Sequence, residues 1–156
     1  MMLYLDASAL AKRYFNEKGS TVVAARFESG ERIFTSILSF AEIHSAIARK
    51  FRDKEFDAEE FNRLRDAFRD DWLFSLSKLD LELNSMIALP QLVETYSLKA
   101  GDAIHLSTAV WLKDSLRAGV WSGKTGGNVE FGVADNQLAK VAQECGFQVF
   151  NPEDEH

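Results

Sequence analysis

The sequence predicts an α/β architecture, a three-layer sandwich with a mostly parallel central sheet of about four to five strands and helices on both faces. Three observations carry this. Short apolar, strand-like runs alternate along the chain with stretches of helical periodicity, the rhythm of a parallel sheet covered on both sides. The hydrophobic fraction is 46% over 156 residues, enough to build one substantial core and a single domain spanning 1–156. Four acidic residues stand beside small or apolar runs: Asp6 and Asp135 directly after strand-like runs, Glu42 and Asp102 at the start of helix-like runs.

Taken in order, residues 2–5 (Met-Leu-Tyr-Leu) read as a short buried strand and residues 7–15 as a helix. Gly19-Ser20 restarts a helix that runs to about Ser29, where Gly30 stops it. Residues 32–36 read as the second strand. A long helix begins near Ser39, with Phe40, Ile43, Ile47 and Phe51 on one face. Residues 57–74 form another amphipathic helix, on which Phe61, Leu64, Phe68 and Trp72 recur every three or four positions, a face that would suit a partner. The mixed charges over 49–71 read as the solvated surface of this helix pair, with a clamp on RNA or a partner as the sharper alternative. Residues 76–79 form a strand, 82–97 a helix that tolerates Pro90, and 102–113 a further helix. Glycines 119, 123, 126 and 127, with Trp121 and Lys124 among them, make 114–128 a loop. Residues 129–134, 136–145 and 147–150 close the chain as strand, helix and strand.

Composition narrows the function. No apolar run approaches the roughly 18 residues that suggest a membrane span. Asp6 interrupts the first apolar stretch, which leaves no signal-like segment at the N-terminus. A single cysteine, Cys145, excludes an internal disulfide and a cysteine-rich metal site, so a reducing cytoplasm is the expected setting. The net charge of −6 opposes a general nucleic-acid binding module but hardly affects an enzyme whose acids are neutralised by metal. The chain contains no His-Glu-x-x-His, phosphate-binding glycine loop or Gly-x-Ser-x-Gly.

Each acid has an ordinary structural explanation. Asp6 (with Ser8), Asp102 and Asp135 could cap helices, and Ser39-Phe40-Ala41-Glu42 has the form of a capping box. Ser, Thr or Asn would cap as well, however, and all four junctions carry a carboxylate. In an open α/β sheet such junctions face the one crevice outside the carboxyl ends of the strands. Four carboxylates there raise each other's pKa and call for a compensating cation, for which hard ions such as Mg²⁺ or Mn²⁺ are suited. His44 and His105 read by default as satisfied core or helix-face histidines, with a supporting role beside Glu42 and Asp102 the alternative. Lys12 and Arg13, past Asp6, could hold a phosphate or lie on the surface. Cys145 reads as a small core residue.

Leu5-Asp6-Ala7-Ser8-Ala9-Leu10, Glu42 heading the long helix, Gly101-Asp102-Ala103-Ile104-His105-Leu106 and Ala134-Asp135-Asn136-Gln137-Leu138 together resemble a PIN domain, closest to the VapC-type toxin ribonucleases of prokaryotic toxin–antitoxin pairs. The resemblance covers essentially the whole chain. It implies Mg²⁺- or Mn²⁺-dependent RNA hydrolysis by metal-activated water, a cognate antitoxin and a homodimer. It also implies Asp6, Glu42, Asp102 and Asp135 as the acidic quartet, with Ser8 supporting it. One position departs from the pattern: Val133 stands where the family often has Thr or Ser, which removes a hydroxyl from the support of Asp135. The rival expectations are a catalytically inactive PIN-like module that binds RNA or a partner, a metal-dependent phosphatase of small molecules, and a structural domain whose acids merely cap helices.

Overall fold

The computed structural model describes residues 1–120 and 127–154. Five short strands, β1 (Met2–Leu5), β2 (Ile33–Ser36), β3 (Leu76–Leu79), β4 (Val129–Gly132) and β5 (Gln148–Phe150), form one sheet in the order β3-β2-β1-β4-β5, and every pairing is parallel. The order reverses at β1, which lies between β2 and β4. In doubly wound sheets the ligand crevice opens at such a reversal, beyond the carboxyl ends of the strands.

Side-chain alternation along β1 sends its residues to two separate cores. Tyr4 faces one, packed with Phe34, Phe131 and side chains of α5 (Leu89–Thr95), α6 (Ala100–Arg117) and α7 (Asn136–Glu144). Leu3 and Leu5 face the other, against α1 (Ala7–Ala11), α2 (Ser20–Glu28), α3 (Leu38–Arg52) and α4 (Ala58–Phe74). Helices therefore cover both faces, as the strand–helix rhythm predicts.

The structure corrects several sequence expectations. The first helix ends at Ala11, and residues 12–15 continue as turns. The stretch 82–97 is not one helix. Asn84–Met86 makes a single 3₁₀ turn, and α5 starts afresh at Leu89 with Pro90 in its first turn, the place where a missing N–H costs nothing. Helix α6 is longer than expected at both ends and takes in residues 114–117 of the supposed loop. Trp121, Gly123, Lys124 and Gly126 lie outside the described residues. The apolar face of α4 is not left open for a partner. Leu64 and Phe68 are buried, Phe61 and Trp72 pack partly against the same core, and Phe40 and His44 of α3 meet the Phe68 ring at 6.1 and 5.1 Å.

Two contacts hold the sheet to its surroundings. Arg26 of α2 bonds Glu31 and reaches Glu130 of β4 at 2.5 Å, with its guanidinium 4.6 Å from the Phe150 ring. Gly132, the last residue of β4, passes so close to β1 that a Cβ there would stand 2.4 Å from Leu5 Cδ2 and 3.3 Å from the Tyr4 carbonyl oxygen. Leu5 is fully buried, so its side chain can yield only by displacing its core neighbours. Gly132→Ala is expected to destabilise the protein by about 1–3 kcal/mol, the usual cost of overpacking. A denaturant titration showing wild-type stability would contradict this contact.

Candidate active site

The carboxyl ends of β1, β2 and β4 deliver three of the acids, and the N-terminus of α6 delivers the fourth. Asp6 follows β1 and caps α1, its Oδ1 accepting the Ala9 N–H at 2.9 Å. Ser8 donates its hydroxyl to the Asp6 carboxylate at 2.7 and 2.9 Å and accepts the Ala134 N–H at 3.0 Å. It thereby ties the turn after β1 to the turn after β4. Asp135 caps α7 by accepting the Leu138 N–H at 2.8 Å.

Glu42 and Asp102 do not cap. Helix α3 begins at Leu38, whose N–H is taken by Ser36 Oγ at 3.1 Å, so Glu42 lies inside the helix. The expected capping box is absent: Ser39 is buried and shares a hydrogen bond with Thr35 Oγ1 at 2.7 Å. Helix α6 begins two residues before Asp102, which sits in its first turn rather than at its cap. Capping therefore accounts for Asp6 and Asp135 and does not account for Glu42 and Asp102. The positive ends of the α1, α6 and α7 dipoles favour negative charge at their first turns, and this helps the sheet tolerate three acids in one place.

The charges of Asp6, Glu42 and Asp135 are each coupled to that of Asp102. Asp6 is 3% exposed, and burial pushes its carboxyl up to about 6, with Asp102 adding to the rise while His105, the Ala9 N–H and Ser8 oppose it. Asp102 is raised first by burial, then by the charge of Asp135, and also by that of Glu42, while His105 and Lys99 offset part of it. Glu42 lies over the start of α6, since a Cβ placed on Gly101 would be 3.7 Å from Glu42 Oε2. Its other oxygen, Oε1, is 2.6 Å from His105 Nε2, and His105 Nδ1 is 2.8 Å from the Tyr4 hydroxyl. A groove of about 570 Å³ runs from Ser8 and Glu42 between α1 and α3, floored by Ala7, Ala11 and Ala46, to Arg49.

With this geometry in hand, comparison places the chain. Residues 3–142 match the PIN domain. The chain belongs to the PIN-domain family. Among curated relatives, Ribonuclease VapC45 and Ribonuclease VapC49 of Mycobacterium tuberculosis are each 29% identical over 123 residues, covering 77% of this chain and 83% of theirs. Among solved structures, FitAcB from Neisseria gonorrhoeae has a TM-score of 0.67 at 16% identity, over 97% of this chain and 98% of that one. VapBC2 from Rickettsia felis, bound to a DNA fragment from its promoter, has a TM-score of 0.62 at 13% identity with the same coverage. A toxin–antitoxin complex from Klebsiella pneumoniae gives 0.60 at 17% identity, again over 97% and 98%. At these identities the structural likeness establishes the PIN fold alone.

Within this PIN domain, all four sequence-predicted acids and Ser8 come together, while Lys12 and Arg13 do not join them. Lys12 is 4% exposed and pairs with Glu153 at 2.6 Å and Glu17 at 3.4 Å. Arg13 pairs with Asp71 at 3.2 Å and lies over the Phe27 ring. Both cations are committed to the protein itself. His44 packs among Phe40 and Phe68, as a helix-face histidine does, and His105 is a buried histidine with both ring nitrogens hydrogen-bonded, one of them to Glu42, which ties it to the acids. Its spacing of three residues from Asp102 was the available signal, because residues three apart share a helix face. Val133 is fully buried in the core, and Asp135 is steadied by its cap bond instead of a neighbouring hydroxyl.

Among the described residues, no three His, Cys, Asp or Glu side chains form a ready-made metal cage. The donor set is nevertheless all oxygen, and the charges of Asp135 and Glu42 add to the burial that raises Asp102. That suits Mg²⁺, which keeps several waters and takes one or two carboxylates together with substrate phosphates rather than a closed protein cage.

Proposed function

We propose that this chain is a Mg²⁺- or Mn²⁺-dependent endoribonuclease and the toxin of a type II toxin–antitoxin pair. The observation that carries the reading is the gathering of four carboxylates at the strand-order reversal of a PIN fold, two of them with no structural task as caps. The ribonuclease names of the curated relatives and the toxin–antitoxin complexes among the structural neighbours support the substrate class and the partner. Asp6, Glu42, Asp102 and Asp135 would hold the cation. When bound, such an ion makes a coordinated water acidic enough to attack near neutral pH and offsets charge developing on the phosphoryl oxygens.

The chain's own residues set the conditions. Ser8 holds both oxygens of Asp6 in place. Asp135, fixed by its cap, and Glu42, fixed by His105, are the carboxylates available to accept a proton from water. Arg49, at the far end of the groove, offers a positive charge to an RNA strand that enters beside Glu42. The exposed apolar side chains Leu81, Leu83, Ile87 and Val93 support homodimer formation, which sedimentation of the isolated protein tests. Among the described residues no helix is long and apolar enough to cross a membrane.

The test is cleavage of a structured RNA pool with Mn²⁺, with EDTA, and with Asp102→Asn. Discrete products that vanish under both treatments are expected. Equal cleavage in EDTA would overturn the metal requirement, and turnover of mononucleotides without RNA cleavage would point to a phosphatase. Thermal melting supplies a second check. At a Mn²⁺ concentration a hundredfold above its Kd, binding stabilises a protein by about 2.7 kcal/mol. For a chain of this size that raises Tm by roughly 5–10 °C. No shift with Mn²⁺ would count against the site.

A further inference from the structure

His105 is 1% exposed and Tyr4 is fully buried, yet each carries a polar group directed at the next residue in a line that ends on Glu42. Tyr4 is anchored in the core: it sits in the central strand and stacks on Phe131 with centroids 5.5 Å apart and planes within 8°. Its ring meets His105 edge-on at 6.0 Å, and its hydroxyl is 2.8 Å from Nδ1. The opposite ring nitrogen, Nε2, is 2.6 Å from Glu42 Oε1. A carboxylate only accepts, so Nε2 carries the proton, and in the neutral ring Nδ1 accepts from the Tyr4 hydroxyl. Glu42 itself is 37% exposed on α3, with several rotatable bonds, and among the described residues its carboxylate makes no other side-chain hydrogen bond.

We infer that Tyr4 and His105 form a positioning pair that fixes the Glu42 carboxylate from the core side, binding Oε1 and leaving Oε2 over Gly101 to serve the cation. This rests on the metallonuclease reading above and assigns a task to two residues outside the acidic quartet. The physical need is clear in the geometry. Three of the acids are held close to the backbone, two by cap bonds and Asp102 by its short side chain on the first turn of α6. Glu42 alone must reach the crevice on a long flexible side chain, and freezing that chain costs rotamer entropy unless the protein has already ordered it. Hydrogen-bond partners of ligating groups typically change metal affinity 10–100-fold when removed.

The experiment measures Mn²⁺ affinity of the purified full chain by electron paramagnetic resonance, alongside RNA cleavage, for wild type, His105→Asn, His105→Gln, Tyr4→Phe, Glu42→Ala and the His105→Asn/Glu42→Ala pair. His105→Asn, whose amide is too short to reach Glu42, is expected to weaken Mn²⁺ binding roughly 10–100-fold. His105→Gln, which places an N–H near the position of Nε2, is expected to recover most of that loss. In the Glu42→Ala background the His105 substitution is expected to add nothing, because its effect passes through Glu42. A merely structural histidine would lower Tm in all backgrounds and leave Mn²⁺ affinity untouched, and that result would overturn the inference. So would an undiminished loss in the Glu42→Ala background. Should His105→Asn fail to fold, Tyr4→Phe and His105→Gln decide: a few-fold weaker affinity in the first with near-normal affinity in the second supports the pair, and unchanged affinity in Tyr4→Phe removes Tyr4 from it. A wild-type chain that neither binds Mn²⁺ nor cuts RNA would sink the metallonuclease reading itself, a failure distinct from normal wild-type binding with indifferent variants.

Discussion

Asp6→Asn is expected to reduce RNA cleavage to background and at the same time to make the metal-free protein more stable. The two effects share one cause. Burial lifts the Asp6 carboxyl from its ordinary 3.8 to about 6, so near neutral pH the folded protein carries an anion that it accommodates less well than water does. The sign follows from linkage. Below about pH 4 the group is protonated in both folded and unfolded chains and contributes nothing. Between about pH 4 and 6 the unfolded chain ionises while the folded one resists, and stability declines as pH rises. Above about 6 the whole cost is present, on the order of 2–3 kcal/mol. Asparagine removes the charge but keeps an oxygen to accept the Ala9 N–H, and Asn is itself a good helix cap. The stability difference between variant and wild type should therefore open between pH 4 and 6 and hold constant above. Denaturant titrations in EDTA at pH 4 and 7 measure it, and a variant less stable than wild type at pH 7 would refute the argument. Protons and cation compete for the same carboxylate, so Mn²⁺ affinity is expected to rise with pH through about 6.

Arg26→Ala should be among the most destabilising single changes outside the core, by about 3 kcal/mol, or a fall in Tm of roughly 5–10 °C. Arg26 bridges Glu31 and Glu130, and Glu130 is only 7% exposed on β4, next to the central strand. The charge pair holds Glu31 below and Arg26 above their ordinary ranges. Removing the arginine takes away the contact over Phe150 and leaves two carboxylates facing each other in a half-buried site. Adding Glu130→Gln to the variant is expected to recover part of the loss, because it removes the stranded charge. Strict additivity of the two substitutions in a double-mutant cycle would show that the bridge contributes nothing. Glu130 leads toward the amino end of the strands, so residual cleavage by the folded fraction of Arg26→Ala should be near wild type.

Much of this protein is legible from its residues in order. Strand and helix periodicities are local properties, and they identify the five strands, the parallel sheet and the long helices α3, α4 and α6 without any knowledge of contacts. The acids Asp6, Glu42, Asp102 and Asp135 and the serine at position 8 stand out for the same reason, because each belongs to a short contiguous motif at a strand or helix junction. Pro90 shows the limit of local reading. Proline fits either a kinked helix or the first turn of a new one, and only the packing of α5 on α6 chose the second.

What the tertiary structure alone decided concerns partners far apart in the chain. Tyr4 and His105 are separated by 101 positions and meet because β1 lies at the centre of the sheet beneath α6. Lys12 is drawn out of reach of any phosphate by Glu153, 141 residues away. The capping bonds of Asp6 and Asp135, and their absence at Glu42 and Asp102, depend on where each helix begins to within one or two residues: α3 starts at Leu38, where Ser36 takes the free N–H, and α6 starts at Ala100, two residues before Asp102. Composition and spacing determined which chemical groups this protein has and near which junctions they stand. The register of strands and helices decided which of those groups touch, because hydrogen-bond reach is a few ångströms while neighbours in the fold can be a hundred residues apart.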